Sequence, residues 1–559
     1  MAGQERQLAL LSLFAVVLSL AADLVTATAD SDTVRPQWND NGSSGDFKNV
    51  LYLIVDDLRP QMTVYNQSTM KTPNFQRLAE KGLVFERAYC QVAVCVPSRN
   101  SFMSGRRPDT TKVWSGMAHS FRDTGPDWIT MPEHFKKHGF IALGGGKTYH
   151  PNSPPNWDEP KSWSQDLPYF SFKGSKCPNG TLQQEAHIGE SGQVTGIDTW
   201  CALDESEYPY SYHYDNQLAN HTVSVLKYVK EKKEPFFVAA GFRRPHVPWK
   251  VPKTFWDMYG DQGDVPTPLH VQRPLNAPDI AFHNQGVFNN TDKRKYLPMP
   301  TPMPKAIQQA ARRAYFASVS WTDYNVGLVL AALDDLGLAN DTLVVLHGDH
   351  GYQLGEHDSW HKQTNWELAT RVPLIVRAPW KPRSLGRRTY ALVELVDMYR
   401  TVAELAGTNK PSRDVNGTSF APLFDSPGMT SSQLSAATGK TGSAAAAGAA
   451  FSQYLRCVNN LTAQWADNWC SGHNNRTLMG YSLRTDVWRY TAWMPWQRTA
   501  PQVDWARGPD HVELYDHSGD QWLENDFDHF ENENVAASAS HASVITELHA
   551  ILREFFSEE

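Results

Sequence analysis

Seven consecutive residues, Asn49 to Val55 (Asn-Val-Leu-Tyr-Leu-Ile-Val), run almost without a polar side chain and stop abruptly at Asp56-Asp57. A strand with one face in water would alternate polar and apolar residues. This run does not, so it needs cover on both faces, as a central strand has in a sheet flanked by helices. Phe236 to Ala240 and Thr342 to Leu346 repeat the pattern, the second ending in His347-Gly348-Asp349-His350, and Leu374 to Val376 is a shorter example. Helical patterns lie between them. Thr72-Pro73 reads as N-cap and first helical residue ahead of a stripe of Phe75, Leu78 and Ala79, with Gly82 as the stop. Further helices are expected over Val96 to Ser104, Asn216 to Lys232, Ile307 to Leu336 and Leu392 to Leu405. Strands alternating with helices predict an α/β sandwich around a large, mostly parallel central sheet. Ligands of such sheets bind beyond the carboxyl ends of the strands, where both acidic clusters fall.

The chain divides by composition. Arg6, the apolar stretch Leu8 to Leu20, and Ala27 and Ala29 read as a secretory signal over residues 1–29, with a mature start at Asp30. That stretch is short for a membrane span, and no later run is long and apolar enough, so the mature chain is expected to have none. Residues 30–430 are expected to form the catalytic domain. The Ser-, Ala- and Gly-rich stretch 431–450 has little to bury and reads as a mobile linker or surface loop. Residues 451–559 are expected to form a smaller C-terminal α+β subdomain, with paired strands over Gly480 to Trp496 and a closing helix reaching Phe556.

A net charge of −8 and the absence of any basic block argue against a nucleic-acid partner. Sequons at Asn41, Asn66, Asn179, Asn220, Asn289, Asn340, Asn416, Asn460 and Asn475 suit a glycosylated lumenal protein. Cys177 and Cys201 flank one polar loop and Cys457 and Cys470 another, so each pair can close its loop with a disulfide. Cys90 and Cys95 are left over, either as free thiols or as a short disulfide with each other.

The chemistry-bearing residues gather at the strand ends. Adjacent carboxylates such as Asp56 and Asp57 share one point only where the backbone turns, and they repel unless a cation sits between them. Asp349-His350 repeats the arrangement at a second strand end. Oxygen-rich ligation of this kind suits a hard cation such as Ca²⁺ or Mg²⁺, with the imidazole of His350 the softest member. Cys95 opens the run Cys95-Val96-Pro97-Ser98-Arg99, where a helix N-terminus would favour a thiolate, and Arg99 follows one turn later. Gly144-Gly145-Gly146-Lys147-Thr148-Tyr149-His150 suggests a nucleotide loop at first sight. The spacing excludes it, because the position that needs the first glycine is Ile141.

Cys95-x-Pro97-Ser98-Arg99, followed by Gly105-Arg106, resembles the maturation motif of the sulfatase family, of the alkaline-phosphatase superfamily. Val50 to Pro60, Thr72 to Asp109, Gly139 to Pro151, Phe236 to Pro252 and Ala314 to Pro373 extend that resemblance over most of the catalytic domain. The longer runs Gly105 to Thr111, Gly241 to Pro248, Gly348 to His357 and Met479 to Thr485 resemble the branch that acts on 2-O-sulfated uronic acids. The family has an alkaline-phosphatase-like fold, which the resemblance implies here. It also implies that Cys95 is oxidised to formylglycine by a formylglycine-generating enzyme, and that the hydrate of the aldehyde attacks sulfur. Asp56, Asp57, Asp349, His350 and the modified Cys95 would be ligands of one Ca²⁺ per chain. Arg99 would hold the hydrate, Lys147 and His246 would bind sulfate, His150 would assist its release, and Lys362 would meet the ester oxygen of the leaving group. Tyr352, with Asp158, Glu159 and Trp360, is expected at a sugar-binding rim. The implied substrate is a sulfated glycosaminoglycan oligosaccharide, a 2-O-sulfated iduronate at the end of heparan or dermatan sulfate, in the lysosome or outside the cell. Competing readings are another sulfatase specificity, a phosphodiesterase or phosphonate hydrolase of the same superfamily, and a catalytically silent glycan-binding protein.

Overall fold

The computed structural model describes residues 47–115, 119–171, 200–282, 303–458, 465–467, 477–496, 503–520 and 529–558. The main sheet is formed by β1 (Asn49–Val55), β2 (Leu83–Tyr89), β3 (Ile141–Gly146), β4 (Phe236–Phe242), β5 (Thr342–Gly348), β6 (Arg371–Arg377), β7 (Arg387–Thr389) and β8 (Val393–Glu394). Its order is β7-β2-β6-β5-β1-β4-β3, with β8 also on β2. β1 pairs in parallel with β4 on one side and β5 on the other, and β3 extends the parallel set. β6 alone runs against its neighbours. The helices that concern the site are α1 (Pro73–Ala79), α2 (Cys95–Ser104), α3 (Tyr214–Lys232), α4 (Lys305–Asp335) and α5 (Met398–Leu405).

The uninterrupted apolar character of β1 is explained by two cores. Leu51, Leu53 and Val55 pack on one face with Leu218 and Leu226 of α3 and Ala314 and Val319 of α4. Val50, Tyr52 and Ile54 pack on the other with Phe102 and Met103 of α2 and Tyr399 and Val402 of α5. Every side chain of the strand from Val50 on is therefore out of water, as a doubly covered parallel sheet requires. The alkaline-phosphatase-like sandwich expected from the sequence is the observed architecture.

Three local expectations are corrected. Thr72 does not cap α1; the carboxylate of Asp323 on α4 accepts from the backbone N–H groups of Asn74 (3.0 Å) and Phe75 (2.7 Å) instead. The pattern Leu392 to Leu405 is helical only from Met398, because Val393 and Glu394 are drawn into the sheet by β2. The stretch 431–450 is not a loop. Thr430 and Gln433 form a reciprocal cap that starts α6 (Ser431–Ala437), α7 (Gly442–Ala447) follows, and Leu434 and Ala445 are buried.

A second, antiparallel sheet closes the chain: β9 (Ala450–Val458), β10 (Trp465–Asp467), β11 (Thr477–Arg484), β12 (Trp488–Pro495) and β13 (His511–Asp516), in the order β10-β9-β11-β12-β13. Helix α8 (Ala542–Glu558) lays Leu548, Ile551 and Leu552 on Met479, Leu483 and Met494 of that sheet. Contacts group all described residues, from Phe47 on, into one unit, so this sheet is a subdomain of a single body. No helix among the described residues is long and apolar enough to cross a membrane. Residues 1–29, Cys177 and Cys470, and the sequons at Asn41, Asn179, Asn289, Asn460 and Asn475 lie outside the described residues. Cys201 and Cys457 are disulfide-bonded, Cys90 and Cys95 are free thiols, and Asn66, Asn220, Asn340 and Asn416 are exposed.

Candidate active site

Four adjacent strands, β5-β1-β4-β3, deliver their carboxyl ends to one place. β1 ends in Asp56-Asp57, β5 in Asp349-His350, β4 leads to His246 and β3 to Lys147 and His150. The backbone turn that adjacent carboxylates need is present: Asp57 has φ 63°, in the left-handed region. Its backbone N–H and that of His350 both donate to Asp349 Oδ1 at 3.0 Å, so one carboxylate organises both strand ends. Gly241 in β4 lets Lys147 approach, since a Cβ there would lie 2.1 Å from the Lys147 carbonyl carbon.

Cys95 is the first residue of α2 and is 4% exposed. Its Sγ lies 3.4 Å from Asp56 Oδ1, 4.0 Å from Asp57 Oδ1, 3.3 Å from His350 Nε2, 3.4 Å from Lys147 Nζ and 3.2 Å from Lys362 Nζ. Arg99, one turn on, donates from Nε to Asp349 Oδ2 (3.0 Å), from Nη2 to Asp56 Oδ1 (3.1 Å) and from Nη1 to the Lys147 carbonyl. Lys147 Nζ binds Asp56 Oδ2 at 2.5 Å, and Lys362 Nζ binds Asp57. Three carboxylates thus face three fixed cations, all buried.

Burial is the largest influence on Cys95, Asp56, Asp57, His150, His246 and His350. It pushes the Cys95 thiol up to about 12, helped by Asp56 and opposed by Lys147 and Lys362, so the helix N-terminus does not produce a thiolate. Asp56 resists burial because the fixed cations Lys147, Arg99 and Lys362 hold its carboxyl well below the usual range. Asp57 goes the other way: burial, with the Asp56 charge beside it, outweighs Lys362 and raises it. His150 is brought down to about 3 by burial and then Lys147, and His246 falls well below its ordinary value for the same reasons. His350 is lowered by burial too. All three imidazoles are neutral near pH 7.

The donors fit a hard divalent cation. One ligand atom from each of Asp56, Cys95, Asp349 and His350 lies within 4.8 Å of the others, and so does one from each of Asp56, Asp57, Cys95 and His246. Oxygen ligands on opposite sides of a Ca²⁺ ion are separated by about that distance. Asp57 Oδ2 is buried without a hydrogen-bond partner, and an unmet carboxylate oxygen is what a cation would satisfy. His350 Nδ1 sits 2.9 Å from the Gly351 carbonyl, which orients Nε2 towards the cluster. Glu367, His517 and Glu531 also converge, but Arg484 and Arg489 already face those carboxylates.

The expected rim is not where these side chains lie. Tyr352 is fully buried in the layer beneath the site, stacked on Tyr315 at 5.4 Å, and Trp360 is buried in the same core. Asp158 is taken by Arg122, with bonds of 2.8 and 2.7 Å to its two oxygens; Glu159 beside it is half-buried. Of the expected catalytic residues only His150 and His246 are partly exposed, so the mouth of the site lies between their loops. Sequence reasoning missed Arg244, two residues before His246 in Gly241 to Pro248. It is buried and donates to the His246 carbonyl at 2.8 Å.

Buried carboxylates, opposed cations and a cysteine lie together at the carboxyl end of a mostly parallel sheet, an arrangement that suits an anionic ester as ligand. A family model described as Sulfatase matches residues 48–408. The chain belongs to the sulfatase family and is a sulfuric ester hydrolase. Iduronate 2-sulfatase of Mus musculus is 33% identical over 497 residues, covering 81% of this chain and 86% of the relative. The phosphonate monoester hydrolase of Silicibacter pomeroyi superposes with a TM-score of 0.64 at 19% identity, over 92% of this chain and 96% of its own. A protein solved with its substrate D-glucosamine-2-N,6-O-disulfate superposes at 0.61 with 20% identity, over 91% and 97%. At these identities the two structures share the fold alone.

Proposed function

We propose that this sulfatase removes 2-O-sulfate from iduronate at the non-reducing end of heparan or dermatan sulfate, using a formylglycine derived from Cys95 and one Ca²⁺. The carrying observation is the Cys95 side chain, ringed by Asp56, Asp57, His350, Lys147 and Lys362 within 4.0 Å. Sulfatases generally use a formylglycine and a divalent metal, and a buried thiol raised to about 12 is poorly suited to act as the nucleophile itself. Once hydrated, the aldehyde supplies a hydroxyl nucleophile in the place of that thiol. Asp56, Asp57, Asp349 and His350 would hold the ion, which when bound supplies a fixed charge that polarises and orients the sulfate group.

The other residues act as follows. Arg99 bridges Asp56 and Asp349 and holds the residue-95 side chain against them. Lys147, at 3.4 Å from that side chain, and His246 bind sulfate oxygens. His150 is neutral, with Nδ1 3.0 Å from the Pro151 carbonyl, which leaves Nε2 to accept a proton as sulfate is released. Lys362 is kept charged by Asp57, against its burial, and meets the oxygen of the leaving group. The 33% identity to iduronate 2-sulfatase over 81% of this chain supports the uronate substrate. The disulfide-bonded Cys201 and Cys457 support passage through the secretory pathway to the lysosome or the exterior.

The test joins two measurements on the secreted protein. Mass spectrometry of the peptide containing Cys95 should show a mass lower by that of H₂S less one oxygen. Sulfate should be released from a 2-O-sulfated iduronosyl disaccharide faster than from 6-O-sulfated glucosamine or an aryl phosphonate. An unmodified thiol in active enzyme, or a preference for the phosphonate, would overturn the reading.

A further inference from the structure

We propose that the C-terminal sheet positions Lys362 and that Arg456 of β9 is the positioning residue; this rests on the reading of Lys362 as the group that meets the leaving oxygen. Lys362 belongs to neither a regular strand nor a helix. It is flanked by His361 (φ 115°) and Gln363 (φ 79°), two non-glycine residues in left-handed backbone. Such conformations are disfavoured for residues with a Cβ and persist only where the surroundings impose them.

The surroundings here come from two sides. The Gln363 N–H donates to the Ala93 carbonyl at 3.1 Å, two residues before Cys95. The Gln363 carbonyl accepts from Arg456 Nη2 at 2.7 Å, and the Arg456 side chain is fully buried. Successive residues are then fastened to the same sheet. Asn365 Nδ2 donates to the Gly480 carbonyl at 2.9 Å, Trp366 Nε1 to Glu513 at 3.0 Å, and Glu367 receives Arg489 Nη2 at 2.6 Å. Gly480 is fitted to this contact, because a Cβ there would lie 2.8 Å from Asn365 Nδ2. The segment is a strap stretched between the Cys95 loop and the C-terminal sheet. Its anchors at Ala93 and Arg456 fix the backbone on both sides of Gln363, which sets where the Lys362 Cα–Cβ bond points and so where Nζ lies relative to residue 95. This also accounts for Met479 to Thr485, a motif that contributes no side chain to the site.

The experiment uses the mature full-length enzyme as wild type, Arg456→Gln, Arg456→Lys and Lys362→Ala. Turnover is measured on a nitrophenyl sulfate, whose leaving group needs no help, and on an alkyl sulfate, whose leaving group does. Lys362→Ala should cost far more on the alkyl ester. Arg456→Gln should follow it, losing roughly ten- to a hundredfold more on the alkyl than on the aryl ester, as a displaced catalytic group does. Arg456→Lys should recover most of that difference. Equal losses on both esters, or none, would overturn the proposal, since a merely structural arginine lowers both alike. Hydrogen exchange over residues 360–366 should quicken in Arg456→Gln and stay unchanged at β1; unchanged exchange in the strap also overturns it. Exchange decides the positioning even if wild type cleaves no sulfate ester, a result that would instead sink the functional reading. If Arg456→Gln does not fold, Asn365→Ala is taken through the same measurements with the same criteria.

Discussion

Glu356 offers a quantitative test of how the strand end at Asp57 is held. It is buried between two guanidiniums: Oε1 accepts from Arg59 Nη1 and Arg312 Nη1, each at 3.0 Å, and Oε2 accepts from the Leu354 N–H at 2.7 Å. Arg59 follows Asp57 by two residues and Arg312 lies on α4, so this carboxylate ties the acidic turn to the long helix. Burial opposes its charge, yet the two arginines prevail and bring it from an ordinary 4.5 to about 2. The folded value lies below the unfolded one, so the stabilisation is fully present above pH 4.5 and is lost as pH falls towards 2. At about 1.4 kcal/mol for each tenfold in proton affinity, the pairing contributes about 3 kcal/mol near neutral pH and about 1.4 kcal/mol at pH near 3. Glu356→Gln keeps the shape and removes the charge. Denaturant unfolding of wild type and variant at neutral pH and at a series of values below pH 4.5 should show a stability gap that holds down to about 4.5 and then narrows as pH falls towards 2. A gap that stays constant below pH 4.5, or widens there, would refute the assignment of this pair as the fastening.

Three further outcomes are expected. Cys95→Ala should lower sulfate release by roughly a thousandfold or more while leaving the unfolding midpoint within a few degrees of wild type, as read by turnover and calorimetry. Chelation of divalent metal should lower the midpoint, and Ca²⁺ at a hundred times its dissociation constant should restore about 2.7 kcal/mol; a midpoint indifferent to chelator would remove the metal from the site. Gly241→Ala should destabilise the protein by about 3 kcal/mol or more, because its new Cβ meets the Lys147 backbone at 2.1 Å; soluble, fully active variant would show that Lys147 does not need that approach.

What was readable in the sequence follows a physical division. Strand ends were readable because two-sided burial forbids alternation, and the acids that break such a run must lie at its terminus; Asp56, Asp57, Asp349 and His350 were found this way. The end of the helix expected over Val96 to Ser104 is equally local, since Gly105 follows it with φ 69°. Thr72 failed because Asp323, some 250 positions away, does the capping that a neighbouring hydroxyl ordinarily does. The helix expected from Leu392 failed because an edge position on β2 captured its first residues. Tyr352 was placed at a rim because the family resemblance implies an aromatic sugar contact there; packing against Tyr315 and Trp249 puts it in the core, and Trp360 is buried in the same cluster. Arg456, Glu367 and Arg489 carry no local mark at all, since their partners are set by how one sheet docks against a segment of another.

The seam between the two sheets also has an order in time. Tyr89, Cys95 and Glu367 are made before Arg456, Arg484 and Arg489 leave the ribosome, and until Arg484 and Arg489 arrive the Glu367 carboxylate lacks the two guanidiniums that face it in the folded protein. In the finished molecule Cys95 is 4% exposed, with Lys362 of the segment bound to the C-terminal sheet 3.2 Å from its sulfur. On the proposed maturation of Cys95, its oxidation is easiest before the C-terminal sheet docks and buries the site.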